Sequence, residues 1–118
     1  MKVAKLIAVS VALPAAVACG SAKPPVPQAA GPVVEITIAH GTVTPTNATL
    51  TAKVGQPITL RVNSDAADEL HVHSTPDHEF EIAAKPEQEF SFTVDVPGSV
   101  AVELHHLDRT VATIQVQP

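Results

Sequence analysis

Phe90-Ser91-Phe92-Thr93-Val94-Asp95-Val96-Pro97-Gly98-Ser99-Val100-Ala101-Val102-Glu103-Leu104 decides how the rest of the chain is read. Apolar side chains stand at 90, 92 and 94, then again at 100, 102 and 104, with polar or small residues between them. Successive side chains of a strand point to opposite faces, so this period of two buries one face and wets the other. A helix would need apolar residues at intervals of three and four, and none recur that way here. Pro97-Gly98 breaks the pattern where a turn is required.

The same alternation extends outward in both directions. Val34, Ile36 and Ile38 carry it first, followed by Leu50, Ala52 and Val54. Gly55-Gln56-Pro57 then reads as the turn of a hairpin into Ile58, Leu60 and Val62. Leu70 and Val72, Phe80 and Ile82, and finally Val111 to Val116 complete the series. About eight short strands in about 85 residues, with turn residues between them, predict an all-β sandwich or small barrel of about seven to eight strands over residues 33–118. A core of Val, Ile, Leu and three Phe suffices for one domain of this size.

Residues 1–32 have a different character. Lys2 and Lys5 precede an apolar run from Leu6 to Val17, too short to span a bilayer, which predicts a signal peptide over residues 1–18. Ala16-Val17-Ala18-Cys19-Gly20 resembles the lipobox of bacterial lipoproteins, in which the chain is cut before the Cys and that residue is lipidated. Residues 19–32 then form a lipidated Cys19 and a Pro- and Ala-rich tether. The expected location is the cell envelope, anchored through lipid on the outer face of the cytoplasmic membrane. With the signal removed, five basic residues remain of seven against twelve acidic ones, a net charge of −7. Such a chain repels phosphate backbones, and without Trp or Tyr it offers few stacking platforms, so no nucleic-acid partner is expected. A monomer projecting from the membrane is the expected state, with any envelope protein partner unidentified.

Six His, all beyond residue 39, are the unusual part of the composition. His71 and His73 are two apart in a strand and leave the sheet on the same face. His78 follows after a turn, and His105-His106 follows the strand ending at Leu104. Adjacent residues face opposite ways, so at most one of that last pair shares the face of His71 unless the strand ends there. Imidazole suits copper and zinc, and Glu69, Asp77, Glu79, Glu103 and Asp108 are near enough in sequence to orient the rings or ligate. The candidate metal ligands are His71, His73, His78, His105 and His106, expected to meet at one end of the sandwich. His40, beside Gly41, reads as surface. Without an ion, clustered imidazoles among carboxylates form a surface that titrates near neutrality.

The order of elements resembles a cupredoxin-like domain. Asp68-Glu69-Leu70-His71 looks like the strand that carries the family's first His ligand, and Pro97 to Leu104 like the strand leading to its Cys. The resemblance implies a Greek-key β-sandwich over about residues 34 to 117. Leu104 stands where the Cys would be, and no Met follows. A blue-copper centre needs that thiolate, so the resemblance does not extend to electron transfer. What remains is a copper (or zinc) site of nitrogen and oxygen donors, serving metal storage or delivery. The alternative is a metal-free cupredoxin-like protein-interaction module. No enzyme is expected, because no motif activates a Ser and no thiol is available as nucleophile.

Overall fold

The computed structural model describes Gly20 and residues 30–118. The expected signal peptide, Cys19 and most of the expected tether lie outside the described residues. The described chain forms nine strands and no helix: β1 (Val33–Ala39), β2 (Thr42–Thr44), β3 (Ala48–Lys53), β4 (Ile58–Ser64), β5 (Asp68–Val72), β6 (His78–Ile82), β7 (Gln88–Phe92), β8 (Gly98–Leu104) and β9 (Arg109–Gln117). They make two sheets, one of order β2-β1-β4-β7 and one of order β3-β9-β8-β5-β6.

The expected sandwich is present, and its Greek key is visible in the order of pairing. β5 and β6 form a hairpin, β7 crosses to the other sheet, and β8 returns to lie beside β5. The side chains that alternate inward supply the core. Ile36, Ile58, Leu60, Leu70, Leu104 and Ile114 are large, wholly buried members of it, each no more than 1% exposed. At about 25 cal/mol per Å2, burying one such side chain contributes about 1.5–3 kcal/mol.

Two local features depart from the sequence reading. The additional strand is β2, three residues long with only Val43 buried. It exists because His40 and Gly41 both have positive φ, 53° and 72°. A two-residue turn of that kind matches the twist of paired strands and folds β2 back on β1. The second departure concerns Gly55-Gln56-Pro57, which does not close a hairpin. β3 pairs in parallel with β9, and β4 pairs in parallel with β1 and antiparallel with β7, so the turn carries the chain between sheets. Alternation tells a residue's face but not its partner strand. Gly31, in the segment expected to be a tether, docks against this turn. Gly31 N donates to the Pro57 carbonyl at 2.9 Å, and any Cβ on Gly31 would run into that oxygen.

A bulge lies in the β8–β9 ladder. Val102 faces Ala112, but Glu103 faces Thr110, so Val111 is the extra residue. Val111 and Ala112 are consequently both buried although adjacent. Bulges bend a strand and re-aim the side chains beside them, and this one adjoins Glu103 and His105.

Candidate metal centre

On β5, Leu70 and Val72 are wholly buried, which turns Glu69, His71 and the following His73 to the solvent side of the five-stranded sheet. On β8 the same parity buries Val102 and Leu104 and turns out Glu103. His105 continues that ladder, its N–H donating to the Glu69 carbonyl at 2.9 Å. On β6, Glu79 stands directly opposite His71. Three adjacent strands thus place imidazoles and carboxylates in a chequered patch on the outer face of the sheet. This differs from the expected position at the end of the sandwich, because the rings leave from strand positions of outward parity rather than from end loops.

The contacts within the patch are specific. Asp77 faces His71 Nε2 with both carboxylate oxygens, at 2.8 and 2.9 Å. His73 Nε2 lies 2.8 Å from Glu103, and His105 Nδ1 lies 2.9 Å from Glu69. The His71 and His73 ring centroids are 4.0 Å apart. His71 and His105 meet edge to face at 5.3 Å, with His71 Nδ1 3.4 Å from His105 Nε2. Each of the three rings therefore has its own carboxylate on one nitrogen. Glu79 is 4.0 Å from His71 Nε2, and the ligand atoms of His71, Asp77 and Glu79 all lie within 4.8 Å of one another.

Electrostatics follow from this. The hydrogen bond to Asp77 raises the His71 pKa above 6.5; partial burial opposes the rise, and the charges of Asp77, Glu79 and Glu69 add to it. The same bond lowers the Asp77 pKa below 3.8, against a smaller desolvation effect.

His78 and His106 do not join the patch. His78 shares the inward parity of Phe80 and Ile82. It stacks on Phe80 at 6.1 Å, packs on Phe92 at 5.3 Å, and its Nε2 meets the Thr93 carbonyl at 3.1 Å. His106 turns the other way from His105, its Nδ1 lying 3.3 Å from the Ala67 carbonyl. Asp108 contacts none of the rings among the described interactions. His40 is exposed, as read from sequence.

One residue that the sequence reading named only as part of the β5 motif, without a role, holds the arrangement together. Asp68 is only 2% exposed. Its Oδ1 accepts from Glu69 N at 2.7 Å and His106 N at 2.9 Å, and its Oδ2 accepts from Leu107 N at 3.3 Å. This carboxylate ties the start of β5 to the turn carrying His105. The signal was present in the sequence, since 68 has the inward parity of Leu70 and Val72, and an acid at such a position needs buried donors. Glu103, His105, Asp108 and Arg109 also line an open groove that leaves the His105 side of the patch accessible.

No family model and no curated protein matches this sequence. Among solved structures the chain is similar to variants of amicyanin. A methionine-to-alanine variant in the Cu(I) form matches at 19% identity and TM-score 0.48, over 72% of this chain and 82% of that one. A proline-to-glycine variant in its reduced Cu(I) form at pH 4 has the same identity and coverage, with TM-score 0.49. The reduced form of a tryptophan-to-tyrosine variant also gives 19% and 0.49. The copper in the first two of those structures is amicyanin's. Among the described residues nothing fits a sulfur-ligated copper centre. Leu104, where the sequence resemblance expected a thiolate, is 1% exposed and packed in the core, and the described residues contain neither Cys nor Met. The donors on the outer face are nitrogen and oxygen alone, a set suited to zinc(II) or copper(II).

Proposed function

We propose that this chain is an exported metal-binding domain, tethered to the membrane through lipid on Cys19. It takes up one divalent transition ion, copper or zinc, through His71, His73 and His105, for storage or delivery rather than electron transfer. The observation that carries this reading is the convergence of those three imidazoles from β5 and the end of β8, each braced by its own carboxylate. A carboxylate on the far nitrogen fixes a ligand ring's tautomer and orientation and raises its basicity, an arrangement typical of metal-binding His. An open face suits an ion that must be exchanged with a partner. Protons compete for the same nitrogens, so affinity falls on acidification, and the raised pKa of His71 extends that competition to higher pH than an ordinary imidazole would. No catalytic step is assigned.

Titrating the purified chain with copper(II) and zinc(II) tests this. The expected result is one equivalent of tight binding, weakened by His71→Ala and by His73→Ala, with no intense visible band of the kind a thiolate gives. Unchanged affinity in both variants would reduce the patch to polar surface. For the anchor, Cys19→Ser should release the chain from membranes, and persistent retention would contradict lipidation. A second reading, a metal-free cupredoxin-like interaction module, draws on one observation. Every imidazole of the patch already has a carboxylate partner within 2.9 Å, so the face is satisfied without an ion.

A further inference from the structure

The carboxylates of the patch fix the protons on its rings. An ionised carboxylate only accepts hydrogen bonds, so Asp77 on His71 Nε2 assigns the proton of the neutral ring to Nε2 and its lone pair to Nδ1. Glu69 on His105 Nδ1 likewise leaves the lone pair of that ring on Nε2. These two lone-pair atoms are the ones that face each other at 3.4 Å. Two acceptors so oriented repel unless a cation occupies the space between them, whether a proton held by one ring or a metal ion bound by both. The separation carries information too. Two nitrogens each about 2.0–2.1 Å from a tetrahedral ion stand about 3.3–3.4 Å apart, whereas a right-angled pair at the same bond length stands about 2.9 Å apart.

We infer that His71 Nδ1 and His105 Nε2 are the paired nitrogen ligands of a tetrahedral ion, zinc(II), and that Asp77 and Glu69 orient the two rings without ligating. This deepens the metal-binding reading above and rests on it. The remaining positions go to His73, whose ring lies 4.0 Å from that of His71, and to water. The competing arrangement is the group formed by His71, Asp77 and Glu79, which uses the opposite edge of the same ring. A neutral imidazole has one lone pair, so the two arrangements exclude each other. The proton that Asp77 holds on Nε2 favours the edge facing His105.

Zinc titration of the purified full chain against a chromophoric chelator separates them, with cobalt(II) as the spectroscopic probe. His105→Ala should cost as much affinity as His71→Ala, exceeding the about 10- to 100-fold loss expected for Asp77→Asn or Glu69→Gln. Glu79→Gln should stay within about twofold of the parent, and bound cobalt should give the intense bands of tetrahedral coordination. Circular dichroism of each variant guards against loss of fold, and Glu79→Gln, on an exposed side chain, keeps the comparison readable if His105→Ala unfolds. If Glu79→Gln abolishes binding while His105→Ala does not, or if cobalt gives only the pale octahedral spectrum, the ligand assignment falls and metal binding stands. If the parent binds no zinc but takes up copper(II), the ligand assignment falls and metal binding stands; if it binds neither ion, both fall.

Discussion

Replacing Asp68 with Ala removes the acceptor that holds the turn carrying His105. Two backbone N–H groups of that turn, His106 and Leu107, lose their partner at 2.9 and 3.3 Å, and Glu69 N loses one at 2.7 Å. A buried donor left unpaired costs about 1–3 kcal/mol. The turn lies at the surface and water reaches part of it, so the sum should be about 3 kcal/mol rather than the full addition. In a domain of this size each kcal/mol shifts the melting temperature by about 4–8 °C, giving a drop of about 12–24 °C. Asp68→Asn keeps an oxygen in the place of Oδ1 and loses only the longer contact to Leu107, which should cost about 1 kcal/mol. Thermal unfolding followed by circular dichroism at neutral pH measures both variants. Zinc affinity of the Ala variant, read well below its melting temperature, should also fall severalfold because His105 is no longer held against Glu69. An Ala variant that melts within a degree or two of the parent would refute the role assigned to Asp68.

Three further outcomes are expected. Leu104→Ala should destabilise by about 2–5 kcal/mol in urea unfolding, because the side chain is 1% exposed and leaves a cavity; a cost under 1 kcal/mol would remove it from the core. His78→Ala should cost about 1 kcal/mol through the lost Thr93 contact and leave zinc affinity unchanged, whereas lost affinity would draw His78 into the site. Asp77→Asn should lower the melting temperature most between about pH 4 and pH 6.5 and little at pH 9. Protonated His71 contributes fully below its ordinary value of 6.5, and that contribution is lost as pH rises through the raised value in the fold. Ionised Asp77 contributes above 3.8, and that contribution is lost as pH falls through its lowered value. A pH-independent effect of the substitution would contradict this coupling.

The strands were legible because each alternates over five or more residues, and β-branched side chains dominate the buried parity. β2 was not, since a single buried Val43 sets no period. The partners of β3 and β4 were equally hidden, because a turn sequence such as Gly55-Gln56-Pro57 serves a hairpin and a crossing between sheets alike. Within the site, parity carried most of the information. Glu69, His71, His73, Glu103 and His105 are all of outward parity, and His106 is not. His78 has the inward parity of Phe80, and reading β6 with that rule would have set it apart from the ligands. What parity cannot supply is the pairing of β5 with β8, a contact between segments about 30 residues apart in sequence. That pairing sets Glu69 beside His105 and brings His105 to His71.

Nitrogen NMR of the imidazole rings during a zinc titration reads the arrangement most directly. At one equivalent, the Nδ1 resonance of His71 and the Nε2 resonance of His105 should move to the metal-bound range, while the rings of His40, His78 and His106 stay where they were. Shifts confined to those other rings, or no shift in any ring, would contradict an ion held on the outer face of the five-stranded sheet.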